Sequence, residues 1–147
     1  MSWPTDTVAQ GSRCCEGDDM PAGDGDQAAI ALFLREHTEI VDAMFTQVNL
    51  RLVGHSYRIH CNAFYNYAVE LIYEVAAVNG TRLAVSEDQC GVMIKANLYD
   101  ATGNIIDTAE KAIYSENFEG YDTDTMHFFT DGVALAADKV RIFAVKW

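Results

Sequence analysis

Histidine and cysteine come closest together at His55, His60 and Cys61, with His127 much further along the chain. Imidazole and thiolate are the usual ligands of zinc, so these residues are the first candidates for chemistry. Successive residues of an extended strand leave opposite faces, so His60 and Cys61 cannot grip one ion from a regular strand. His60 together with His127 would need their two segments to lie side by side, and nothing in the sequence sets that register. No metal site is therefore expected, and these histidines read as outward-facing polar strand residues. Carboxylates could do acid/base work, yet Glu70 and Glu74, on one strand face, lie about 13 Å apart at ~3.3 Å per residue. That is too far for a glycosidase-type couple. Calcium is conceivable at "YDTDT" (121–125) or "GDGDQ" (23–27), but neither has the alternating ligands and closing glutamate of an EF-hand loop. G-x-S-x-G, G-x-x-x-x-G-K and G-x-G-x-x-G motifs are all absent. The expectation is a protein that is not an enzyme, with no catalytic residues and no cofactor.

Aromatic residues are the other surface feature. Phe64, Tyr65 and Tyr67 cluster at a bend, and Tyr99, Tyr114 and Tyr121 gather around turns. Tyrosines near turns usually plug the corners of β-structures, and several exposed together mark a recognition patch. The candidate patch is Phe64, Tyr65, Tyr67, Tyr99 and Tyr121.

These residues must be held by elements whose periodicity can be read. Residues 1–26 contain both prolines and six acids against one arginine, with no sustained apolar period, and read as an acidic flexible tail. From Asp26, a plausible N-cap, apolar residues recur every three or four positions through Phe33, Leu34, His37, Ile40, Val41, Met44 and Phe45, predicting one amphipathic helix over 27–46. His37 lies on its stripe and reads as a hydrogen-bonded boundary histidine. From residue 47 the period becomes two. "VNLRLV" and "SYRIHCNAFY" predict two strands joined at Gly54-His55, the second with Tyr57, Ile59 and Cys61 on one face. "VELIYEVAAV" places Val69, Leu71, Tyr73, Val75 and Ala77 inward and Glu70, Ile72 and Glu74 outward. It ends in Asn79-Gly80, a strong two-residue hairpin signal leading into a short strand "RLAVSEDQC". "GVMIKANLYD", the turn "DATGN" and "IIDTAEKAIY" predict a second hairpin, its later strand bulged or at an edge. "DTMHFF" and "KVRIFAVKW" follow. The last is apolar on both faces, as expected of a strand covered by the core on one side and the helix on the other.

The whole is 147 residues, one domain's worth, with half the residues apolar and 11% aromatic, enough to fold around a single core. The longest apolar run, "AAIALFL", is far short of the ~20 residues that span a bilayer, and no basic segment precedes it as in a signal peptide. No membrane span is expected, and the default compartment is cytoplasmic. Twenty-two acidic against ten basic residues leave a net charge of −12, which repels phosphate backbones and excludes nucleic acid as an expected partner. The four cysteines, Cys14, Cys15, Cys61 and Cys90, show no C-x-x-C spacing and read as free thiols.

"IKANLYDATGNIIDTA", then "FEGYDTDTMHF" and "DKVRIFAVKW", resemble the FxLYD family of bacterial and archaeal immunoglobulin-like domains over residues 68–147. The matching positions are Leu98, Tyr99, Asp100, Gly103, Asn104, Asp107, Thr108, Gly120, Asp124, Thr125, Phe128, Val140 and Phe143. Where that family tends to carry Pro-Gly before the acidic-Thr pair, this chain has Glu119-Gly120. The resemblance implies an immunoglobulin-like sandwich acting as a binding or spacer module, and brings no catalytic residues.

The expected fold is therefore mainly β: an antiparallel immunoglobulin-like β-sandwich of about seven strands over 47–147, with one N-terminal amphipathic helix, the domain spanning 27–147. The expected role is a non-enzymatic interaction module, meeting a protein partner or a second copy of itself through the helix 27–46. The rival is a cystatin-like or NTF2-like curved sheet wrapped around a helix, a small-ligand binder or enzyme. In that arrangement Tyr57, His60, Tyr73 and His127 would converge in one pocket.

Overall fold

The computed structural model describes residues 22–147, with side chains from Asp26 onward. Expectations for residues 1–21, including the tail and the thiols of Cys14 and Cys15, lie outside the described residues. The chain is mainly β, in two sheets. In order it forms α1 (Ala22–Glu36), β1 (Thr38–Ile40), α2 (Asp42–Gln47), β2 (Leu50–Cys61), β3 (Asn66–Ala77), β4 (Gly91–Tyr99), β5 (Ile105–Tyr114), β6 (Tyr121–Phe128), α3 (Val133–Ala136) and β7 (Lys139–Lys146). One sheet has the order β1-β7-β4-β5 and the other β2-β3-β6. Their inner faces carry alternate residues such as Leu71, Tyr73 and Val75 from β3 and Ile94, Ala96 and Leu98 from β4, all fully buried. The two sheets stack as a sandwich around one core.

The helix expected over 27–46 is two helices separated by a strand, and its first part begins at Ala22, inside the expected tail. α1 stops because Thr38 turns its hydroxyl back to the Leu34 carbonyl at 2.6 Å and shares a 2.7 Å hydrogen bond with the Tyr57 hydroxyl. His37 closes the same end, donating from Nδ1 to the Phe33 carbonyl at 2.7 Å with its ring stacked on Phe33. The next residues, Thr38-Glu39-Ile40, are rich in β-branched side chains and pair in parallel with β7, Thr38 opposite Val140 and Ile40 opposite Ile142. Strand pairing at the open edge of β7 outweighs continuation of the helical period. α1 lies against β2 through the buried Ile30 and Leu34, while α2 packs near β2 and β7 through Phe45. The expected cover of β7 by helix is thus supplied by the second helix alone, with Met44 beside Phe143, while Phe143 and Val145 stay half-buried.

Two expected turns resolve differently. Gly54-His55 does not join two strands, because β2 runs through it with a bulge at Val53. The extra residue switches the inward side from Leu50 to Tyr57 and Ile59, which explains why the alternation changes parity there without a turn. Asn79-Gly80 does not make a hairpin either, since β3 already has β2 on one edge and β6 on the other, leaving no edge for residues 82–90. That segment is instead a crossing to the other sheet, held by Asn49. Its amide donates to the carbonyls of Asn79 and Arg82, each at 2.7 Å, and its side-chain oxygen accepts from the Asn79 N–H. The β4–β5 hairpin forms as expected. Asp100 Oδ1 accepts from Thr102 N–H, Thr102 hydroxyl and Asn104 N–H, and Gly103 supplies the positive φ of 89°. β5 is an edge strand, with a register shift at Leu98/Tyr99.

If α1 belongs to the core, Leu34→Ala destabilises the chain by about 2–5 kcal/mol, whereas Leu32→Ala, on the solvent side of the same helix, changes stability by less than about 0.5 kcal/mol. Urea unfolding of the two variants measures this, and equal small effects would show α1 to be detachable.

Candidate functional site

β3 is the central strand of the three-stranded sheet, so each of its outward residues has a neighbour on both sides. At Glu70 those neighbours are Arg58 on β2 and His127 on β6, directly opposite in register. His60, two residues beyond Arg58 on the same face of β2, reaches diagonally to the same carboxylate. Its Nε2 lies 2.7 Å from Glu70 Oε1, Arg58 Nη1 is 3.4 Å from that oxygen, and His127 Nε2 is 3.8 Å from Oε2. Glu70 is only 8% exposed although it sits on the solvent side of the sheet. Its cover is aromatic: Tyr65 from the β2–β3 turn and Phe129 just past β6 wall a pocket of about 220 Å³ that also includes His60, Ala68, Glu70 and His127. The rings form a continuous layer, with His127 stacked on Phe129 at 5.3 Å, Tyr65 at 5.4 Å from Phe129 and His60 at 6.4 Å from both Tyr65 and His127.

The turn that carries Tyr65 is built by Asn62. Its side-chain oxygen accepts the N–H groups of Phe64 and Tyr65 at 2.8 and 2.9 Å, and its own N–H reaches the Tyr65 carbonyl. This presents Phe64 at 87% exposure and Tyr65 at the pocket rim. Phe129 follows His127 by two residues and so shares its face, also largely exposed.

The five expected patch residues divide. Phe64 and Tyr65 are exposed and adjacent to the Glu70 site. Tyr67 is buried: it shares parity with Val69 and Leu71, and at φ 55° it points into the core. Tyr99 is on the other sheet and is covered on its outer face by Lys139 and Arg141, 5.1 and 5.2 Å from its ring centre. Tyr121 is exposed but lies at the far end of β6, about 20 Å from His127 at ~3.4 Å per residue, where its hydroxyl donates to Glu74. Phe129 was missed; the signal was its shared parity with His127. His60 and His127, which the sequence could not bring together, meet at Glu70. Tyr57 and Tyr73 face inward, so they do not join the two histidines in one pocket. Asp122 is paired opposite Val75, and its carboxyl is pushed up by partial burial and the nearby Asp124.

Cys61 is disulfide-bonded, contrary to the expected free thiol, while Cys90 is free and exposed. No family model matches this chain, and no curated protein or solved structure matches it. No helix among the described residues is long and apolar enough to cross a membrane.

One titratable group away from the pocket contributes to the pH dependence of stability. His55 is half-buried, with Nε2 lacking a hydrogen-bond partner, and desolvation pulls its pKa below the usual 6.5. The folded chain therefore refuses a proton that the unfolded chain accepts. Stability from neutral His55 is present above pH 6.5 and is lost as pH falls below it. His55→Gln should accordingly lose less of its thermal midpoint than the parent chain between neutral pH and pH ~5.5; equal losses would remove His55 from the account.

Proposed function

We propose that this chain is a non-enzymatic binding module of immunoglobulin-like, FxLYD type, receiving a protein partner on the outer face of β2-β3-β6 beside Glu70. The observation that carries this reading is that Tyr65 and Phe129, both substantially exposed, wall one half-open pocket, with the exposed Phe64 next to Tyr65 in the same turn. Exposed rings in a contiguous group are poorly hydrated and are a common feature of surfaces that become covered in a complex. Asn62 hydrogen-bonds the turn that carries two of the three, which reduces the ordering entropy lost on binding.

The strand order supports the immunoglobulin-like part. An immunoglobulin sheet pair has A-B-E on one side and G-F-C-C′ on the other. Here β2-β3-β6 follow the first order and β1-β7-β4-β5 the second, with β1 in the place of G but parallel to its neighbour. The Leu98-Tyr99-Asp100 triplet also has a physical reason: Leu98 is core, Tyr99 is held between sheet and cations, and Asp100 caps the turn. The partner surface moves from the expected helix face to the aromatic face, because Ile30 and Leu34 of α1 are already spent on the chain's own core. A disulfide at Cys61 fits an oxidising compartment better than the cytoplasmic default.

The His60–Glu70 hydrogen bond favours one other reading, a general acid–base pair in a small enzyme. The two are separated by selecting peptide ligands from a displayed random library and mapping them by amide chemical-shift perturbation. The binding reading expects shifts centred on Tyr65, Ala68, His127 and Phe129, and a loss of roughly tenfold or more in affinity for Tyr65→Ala/Phe129→Ala. Perturbations confined to another face, or turnover of a substrate panel abolished by His60→Ala or Glu70→Gln, would overturn it.

A further inference from the structure

We infer that His60, Glu70 and His127 form a binding site for a divalent transition-metal ion of the zinc class. The site is the ligand centre of the face read above as the binding surface. It rests on that reading for its purpose, while its chemistry stands on the geometry alone.

The three side chains come from three adjacent strands, and one ligand atom from each lies within 4.8 Å of the other two. Zinc bonds of about 2.0–2.2 Å to imidazole nitrogen and carboxylate oxygen place ligand atoms roughly 3.3–3.6 Å apart in a tetrahedron. The observed separations from Glu70, 2.7 Å to His60 and 3.8 Å to His127, bracket that spacing. Small side-chain rotations therefore suffice to open a cavity for the ion, with no movement of the sheet. Both histidines present Nε2 to the carboxylate, and the carboxylate offers a different oxygen to each. Two imidazoles and one carboxylate suit zinc, cobalt or nickel, and are too nitrogen-rich for calcium or magnesium.

The surroundings fit as well. Glu70 is buried beneath Tyr65 and Phe129, and an apolar wall around a polar centre lowers the local dielectric and strengthens ligation. Among the described residues, Arg58 is the competing cation. Its contact with Glu70, at 3.4 Å, is near the limit of hydrogen-bonding distance, and its side chain is mostly exposed, so it can swing into solvent when an ion arrives. Three protein ligands leave a coordination position at the pocket mouth, where a donor side chain of a partner can complete the shell.

The test uses the full chain carrying Cys90→Ser, which removes an exposed free thiol, stripped with chelator and titrated with zinc by calorimetry and with cobalt by visible absorption. The inference expects one equivalent bound in the micromolar range or tighter, a cobalt spectrum without thiolate charge-transfer bands, and a zinc-dependent rise in thermal midpoint. His60→Ala and His127→Ala, both at partly exposed positions, each weaken binding roughly tenfold or more. Glu70→Gln, which preserves the side chain's size, serves as the third variant should either fail to fold. Absence of uptake at millimolar zinc, or uptake unchanged in the His60→Ala/His127→Ala double variant, overturns the site. Phe129→Ala distinguishes the two readings: ion binding that persists while peptide binding is lost leaves both standing, and ion binding without any selectable peptide removes the binding-module reading alone.

Discussion

A carboxylate on the solvent side of a sheet is ordinarily exposed, and the arrangement of this protein turns on Glu70, which is buried there. Glu70 occupies the middle strand of three, so the antiparallel register of β3 with β2 and with β6 decides what stands on either side of it. The register sets Arg58 and His127 opposite and His60 on the diagonal, and the aromatic rings of Tyr65 and Phe129 wall the half-open pocket beside the carboxylate. A carboxylate removed from water is costly unless donors meet it, and here the His60 imidazole and the Arg58 guanidinium do so, with His127 3.8 Å away. A slip of one residue on either side would turn the histidines into the core and leave the carboxylate without them.

What pins that register is the dry side of the same strand. Val69, Leu71, Tyr73 and Val75 are wholly buried against the second sheet, so β3 cannot slide without exposing all four. The bulge at Val53 lets β2 satisfy two conflicting demands, keeping Leu50 inward near α2 and Tyr57 and Ile59 inward further on. The same correction brings Arg58 and His60 to the outer face. Core packing on one side and the polar cluster on the other are thus two consequences of a single alignment, joined at the far end by the Asn62 turn.

Much of this was legible in sequence. The alternation from Val69 to Ala77 named the inner face of β3 correctly, and the Asp100 turn announced its hairpin, because both depend on neighbours within a few residues. The helix over 27–46 failed because its period continued through Thr38-Glu39-Ile40, whose pairing partner is a strand a hundred residues away. Asn79-Gly80 failed because both edges of β3 were already taken, again a distant fact. The site was half visible. Phe64 and Tyr65 could be picked out, but the meeting of His60 with His127 depends on strand order, which local pattern does not encode. Tyr67 shares the parity of Val69 and Leu71, so its inward position was legible too.

The most direct measurement of the central claim is the pattern of cross-strand nuclear Overhauser effects around Glu70 in solution. The account predicts backbone contacts that pair Glu70 with Arg58 on one side and with His127 on the other, together with side-chain contacts from Tyr65 to Phe129. Contacts that pair Val69 or Leu71 with His127, or a Tyr65 ring without contact to Phe129, would contradict it.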